Sequence, residues 1–130
     1  MSELRNDFLY SKEHEWVQTV GKDTVRIGIT EFAQHQLGDI VFVELPDLEA
    51  GVKAEDSIGT IESVKTVSDL FSPVSGTIVA VNEALQDSPE LVNSSPYEEG
   101  WMIEIRVDGD VTTALSTLLN ADAYLKHTEE

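Results

Sequence analysis

Ser57-Ile-Gly-Thr-Ile-Glu-Ser-Val-Lys-Thr-Val-Ser-Asp-Leu-Phe-Ser-Pro-Val-Ser-Gly-Thr-Ile-Val-Ala-Val81 contains one strand pattern twice. Ser57–Val64 and Val74–Val81 share Gly59/Gly76, Thr60/Thr77, Ile61/Ile78 and Val64/Val81 as identical pairs. Two similar strands flanking a short connection predict a pseudo-symmetric sheet sandwich, although Gly-Thr-Ile is common in β proteins. Within the stretch, Ser57–Val64 and Thr66–Leu70 read as paired strands that leave Lys65 where the chain reverses, with Val64 and Val67 expected to anchor the strand tips.

Outward from this hairpin, Gly, Pro and Asx punctuate the chain at short intervals, and the segments between them are mostly strand-like. Glu15–Val20 and Thr24–Ile29 flank Gly21-Lys22-Asp23 as a second hairpin. Thr30 is placed to cap a short helix through Leu37, and Gly38 to end it. Ile40–Leu45 is an apolar strand stopped by Pro46, and Gly76–Val81 is another. Pro89–Val92 reads as a helical turn. Trp101–Val107 alternates, with Trp101, Ile103, Ile105 and Val107 on one face and Met102, Glu104 and Arg106 on the other. Leu115, Leu118 and Leu119 recur at helical spacing, Asn120 is placed to cap a last helix through Lys126, and His127 to Glu130 are expected to fray. No linker divides the chain, so residues 1–130 are expected to form one domain with its core over about 8–126.

The 130 residues are 41% hydrophobic and 25% charged, a globular composition. Eight Lys/Arg against 25 Asp/Glu give a formal charge of −17, which repels nucleic-acid phosphates and anionic membranes and steers the protein toward basic partner faces. No apolar run approaches a membrane span. The Met1–Asp7 start resembles neither a secretory signal nor a presequence, so a cytoplasmic location is expected, or the mitochondrial matrix for a processed organellar protein. With no cysteine, redox chemistry would need sulfur from a bound group. His14, His35 and His127 lack metal-ligand spacing, and Asp108-Gly-Asp110 lacks the remaining ligands of a calcium loop. No nucleophile elbow or phosphate-binding loop is present. No catalytic or metal-ligating residue is therefore assigned.

Lys65 carries the chemistry that remains. By spacing alone a turn lysine is ordinary solvated surface. Its amine can nonetheless form a stable amide with a cofactor carboxylate, which removes the charge and makes an arm reaching beyond ~10 Å.

The surroundings of Lys65 resemble a known family. Gly59-Thr-Ile-Glu-Ser-Val-Lys-Thr-Val-Ser-Asp-Leu-Phe-Ser-Pro-Val-Ser-Gly-Thr-Ile-Val-Ala-Val-Asn-Glu-Ala-Leu85 is similar to the lipoyl-attachment region of the glycine cleavage system H proteins. Tyr10-Ser-Lys-Glu-His-Glu-Trp-Val17, Ile27-Gly-Ile-Thr-Glu-Phe-Ala-Gln34, Gly38-Asp-Ile-Val-Phe-Val-Glu-Leu-Pro46 and Leu91-Val-Asn-Ser-Ser-Pro-Tyr-Glu-Glu-Gly-Trp101 resemble family blocks in family order. Biotin carriers usually flank their lysine with methionines and 2-oxoacid dehydrogenase lipoyl domains place an aspartate before it, whereas Val64 fits the H-protein pattern. Thr66 and Val67 are larger than the family's usual residues, and Phe32 replaces a polar residue or histidine.

The resemblance implies a mainly β, barrel-sandwich hybrid fold of the lipoyl/biotinyl-carrier (hammerhead) kind, with short peripheral helices and a C-terminal helix. It implies a non-catalytic carrier with lipoate on Lys65 and recognition of the attachment site through Glu62, Ser63, Val64 and Asp69. The implied partners are a pyridoxal-phosphate glycine decarboxylase, a tetrahydrofolate-dependent aminomethyltransferase, the flavoenzyme dihydrolipoyl dehydrogenase, and lipoylating enzymes. The aminomethyl group would pass between them on the arm, protected in a cleft where Glu15 pairs with its ammonium. From the residues alone, Glu15 is a solvated glutamate on an edge strand. The rival readings are a relay donating lipoyl or octanoyl groups to other lipoyl-dependent enzymes, a small acidic enzyme, and a biotin-type carrier.

Overall fold

Short strand-forming segments separated by turns form nine strands, and five short helices lie between and after them, three of them capped by the side chains of Thr30, Asp110 and Asn120, in a computed structural model that describes residues 8–128. The elements are β1 (Leu9–Tyr10), β2 (Glu15–Thr19), β3 (Thr24–Ile29), α1 (Glu31–Leu37), β4 (Ile40–Glu44), β5 (Gly51–Val52), β6 (Ser57–Ser63), β7 (Val67–Phe71), β8 (Gly76–Val81), α2 (Ala84–Asp87), α3 (Leu91–Ser94), β9 (Ile103–Val107), α4 (Val111–Leu115) and α5 (Ala121–Thr128). They make a six-stranded sheet in the order β1-β2-β3-β9-β8-β5 and a three-stranded sheet in the order β4-β6-β7. The fold is mainly β, with two sheets and peripheral helices that include one at the C-terminus.

Both sheets contribute to one core. Val43, Ile61 and Leu70 of the small sheet cluster with Ile27, Ile78, Ile103 and Ile105 of the large one. A fully buried side chain of this kind contributes roughly 1.5–3 kcal/mol, so the sandwich holds the fold and its exposed hairpin tip is free for other use. A second cluster of Phe8, Tyr10, Trp16, Tyr97, Ala121 and Tyr124 ties α5 to β1 and β2.

The two copies of the repeat lie in different sheets, β6 in the small and β8 in the large, and Ile61 and Ile78 both belong to the shared core. Their glycines do the same work. A Cβ on Gly59 would stand 2.3 Å from the Glu44 carbonyl oxygen, and one on Gly76 would stand 2.1 Å from that of Arg106. Each copy needs glycine so that a neighbouring strand can come this close.

Several expectations require correction. Val64 and Val67 are 67% and 60% exposed, so they do not anchor the strand tips. Met102 is fully buried although alternation put it on the outer face, because it precedes β9 and its backbone bridges Ile27 and Asn82. Trp101 is only half-buried, under the Arg26 guanidinium, which also pairs with Glu104. The helix at 111 stops at Leu115, because Leu119 instead exchanges backbone hydrogen bonds with Tyr10. Asn120 accepts from the Ala123 N–H as expected, but α5 runs to Thr128, and His127 is held at the Lys12 carbonyl rather than fraying. Residues 129 and 130 and the Met1–Asp7 start lie outside the described residues. The turn read at Pro89–Val92 forms two residues later as α3, and α2, β1 and β5 were not anticipated. No helix among the described residues is long and apolar enough to cross a membrane.

Candidate functional site

The turn between β6 and β7 is built by Ser63, whose hydroxyl is at once acceptor and donor. It accepts from the Lys65 and Thr66 N–H groups, both at 3.1 Å, and donates to the Thr66 carbonyl at 3.2 Å, while the Ser63 N–H donates to the same carbonyl at 2.8 Å. Serine suits the position because its short side chain completes the turn that valines cannot. The Val64 N–H donates to the Asp39 carbonyl at 3.0 Å, which ties the turn to the segment leaving α1. Lys65 is exposed, and its side chain enters no ion pair or hydrogen bond among the described residues.

Where the lysine stem lies is set by Gly38, the residue that ends α1. It adopts φ +85°, and a Cβ there would stand 3.3 Å from Lys65 Cε. Gly38 therefore both terminates the helix and leaves a seat for the stem. Asn93 locks this segment. Its Nδ2 donates to Gln34 Oε1 (2.8 Å) and the Gly38 carbonyl (2.9 Å), and its Oδ1 accepts from the Ile40 N–H at 2.8 Å.

Beside α1 runs a cleft of about 220 Å3 whose lining includes Glu15, Ile29, Phe32, Leu37, Ser68 and Asp69. The seven residues of α1 span roughly 10 Å, and the cleft follows them from Leu37, next to the lysine seat, toward Glu15 and His14. Phe32 packs against the His14 ring with centroids 5.0 Å apart, so the departure from the family pattern sits in the cleft wall. His14 is held there at φ 71° by a 2.8 Å contact between its Nδ1 and the Tyr124 hydroxyl, which also bonds the Thr30 hydroxyl at 2.8 Å. Burial and the nearby His127 lower the pKa of His14.

Glu15 overturns the expectation of a solvated edge residue. Strand β2 lies between β1 and β3, and Glu15 is 2% exposed. The Ser11 hydroxyl donates to its Oε1 at 2.5 Å and the Phe71 N–H donates to its Oε2 at 3.3 Å. Burial nevertheless pushes its pKa up to about 8, against those two bonds. At pH 7 the group is mostly a neutral acid.

A pH dependence follows. The folded form holds this proton more tightly than the unfolded chain, so the stability linked to it is fully present below the ordinary carboxyl pKa and drains away as pH rises toward 8. Calorimetry from pH 5 to 8 should find the melting temperature falling with pH in the wild type more steeply than in Glu15→Gln. Parallel slopes would contradict the assignment.

Of the residues implicated from sequence, Lys65, Ser63 and Val64 meet at the hairpin apex. Glu62 stands outward beside them, paired in register with Phe42 and Val67. Asp69 and Glu15 line the cleft. Sequence reasoning missed the seat at Gly38, the lock at Asn93 and the Tyr124 strut, since each is a contact across more than 25 positions. Among the described residues no cluster of His, Cys, Asp and Glu is suited to a metal ion.

Comparison with known proteins gives a consistent result. The family model described as glycine cleavage H-protein matches residues 8–130. The glycine cleavage system H protein of Mycolicibacterium smegmatis is 54% identical over 125 residues, 95% of each chain. That of Staphylococcus carnosus is 57% identical over 115 residues, 88% of this chain and 89% of its own. A crystal structure of a glycine cleavage system H protein from Mycobacterium marinum superposes with a TM-score of 0.88 at 37% identity, covering 98% of this chain and all of that one.

Proposed function

The chain belongs to the glycine cleavage H-protein family, and on that premise we propose that it is the lipoyl-bearing carrier of glycine cleavage, with the cofactor held as an amide on Lys65. It is a carrier component, not a catalyst. One observation supports the site above others: an exposed amine, without a partner among the described residues, at a turn fixed by Ser63, with its stem leading past Gly38 toward a cleft lined by Glu15.

The residues fit such an arm. The amine is free to be acylated, Gly38 leaves room beside it, and Ile29, Phe32 and Leu37 give the cleft an apolar lining. Side chain plus acyl chain, beyond ~10 Å, matches the roughly 10 Å of α1 along which the cleft runs. A lipoyl group held on Lys65 would supply a sulfur pair able to carry an aminomethyl group between a pyridoxal-phosphate glycine decarboxylase and a tetrahydrofolate-dependent aminomethyltransferase, with the flavoenzyme dihydrolipoyl dehydrogenase as its oxidant. Ser63 shapes the turn for lipoylating enzymes, while Glu62, Val64 and Asp69 present the surface they recognise.

Glu15 protects the cargo. An ammonium group arriving beside it favours ionisation of the carboxyl, and an ion pair formed out of water holds more firmly than one on the surface. The whole chain acts as one carrier domain, core about 8–126, in the cytoplasm.

The test is to incubate the lipoylated protein with purified glycine decarboxylase and labelled glycine. The label should transfer to the carrier, and Glu15→Ala should accept it but release it severalfold faster. No loading, together with acyl transfer to another apo-protein, would favour the relay role instead. Equal lifetimes would remove Glu15 from the mechanism.

A further inference from the structure

Four large apolar side chains surround the lysine turn in the open. Val41 is 49% exposed, Phe42 44%, Val64 67% and Val67 60%. A regular strand sends consecutive residues to opposite faces, but the register of β4 against β6 shifts between Ile40 and Phe42, and the bulge turns both Val41 and Phe42 outward. Phe42 stands opposite Glu62, and Glu62 opposite Val67, so the three form one outward row across the small sheet. The Val64 N–H bond to the Asp39 carbonyl draws the turn against the same segment. Exposed Asp39, Glu44, Glu62 and Asp69 rim the group.

We infer that the apolar collar of Val41, Phe42, Val64 and Val67 is the docking surface for the enzyme that acylates Lys65, through a complementary apolar patch rimmed by Lys and Arg. The inference rests on Lys65 being the modified residue. Reach selects the occupant. Before acylation the amine extends only about 6 Å from the backbone, so the acylating active site must close over the turn and cover the side chains flanking it. After acylation the arm reaches beyond ~10 Å, and later partners can take its end while remaining clear of the collar. Charge selects the rim, because a carrier of net charge −17 is steered onto cationic surfaces.

The test uses full-length apo-protein, lipoate, ATP and a purified lipoate–protein ligase. Phe42→Ser with Val67→Ser should lower kcat/KM for acylation about tenfold or more, with the melting temperature little changed. Val67→Ser alone should give a smaller fall in the same direction. Once driven to full acylation with excess ligase, the double variant should be loaded by glycine decarboxylase at the wild-type rate. Acylation within twofold of wild type would overturn the proposal. So would a loss confined to decarboxylase loading, or sedimentation showing a dimer of this chain that the substitutions dissociate. Wild type left unacylated would strike down the Lys65 reading, and this one with it.

Discussion

Lys65→Arg is expected to abolish carrier activity while leaving the fold untouched. The guanidinium keeps the positive charge and a stem that can lie over Gly38, but it stays protonated and does not form the amide. Because Lys65 is exposed and makes no side-chain hydrogen bond or ion pair among the described residues, its replacement should change stability by no more than about 0.5 kcal/mol. In a reconstituted glycine decarboxylation assay the variant should fall to the level of a reaction without carrier, with an unchanged melting curve. Activity retained at a tenth of wild type or more would show that another group carries the arm.

Gly59→Ala should produce the largest structural effect of any one-carbon change in the hairpin. The added Cβ would stand 2.3 Å from the Glu44 carbonyl oxygen, and that oxygen belongs to the neighbouring strand, not to a side chain that can swing aside. Strands β4 and β6 must separate, weakening the packing of Val43 and Ile61 beneath them. Overpacking of this kind costs about 3 kcal/mol, on the order of 10 °C in melting temperature for a chain of this size. Gly51 is the control, since a Cβ there meets nothing within 4 Å. Denaturant titration of Gly59→Ala and Gly51→Ala should separate the two clearly, and similar midpoints would contradict the close approach.

The second prediction also shows what the sequence made legible. The repeat around Gly59 and Gly76, the Thr30 cap, the Gly38 stop and the turn at Lys65 are local signals, written within a few residues and governed by backbone preference. They were sufficient for the mainly β fold. Features made by distant contacts were not legible. Glu15 reads locally as a solvated glutamate on an edge strand, and only packing brought by distant segments, with the Phe71 N–H at its carboxyl, makes it a buried acid whose pKa is pushed up to about 8. Val64 and Val67 read as core because apolar residues in strands usually are, and nothing local announces that they face solvent. The β4 bulge is equally silent, since register depends on the partner strand. The role proposed for Lys65 comes from family resemblance, not from spacing.

The central claim is that one amine, held clear at the tip of a stiff hairpin, bears the sulfur arm. Intact-mass analysis of the protein purified from cells with ample lipoate and working ligases tests it most directly, followed by peptide mapping. A mass raised by one lipoyl or octanoyl amide, located on Lys65 and absent from Lys65→Ala, is the predicted result. An unmodified mass, or an acyl group found on another lysine, would contradict it.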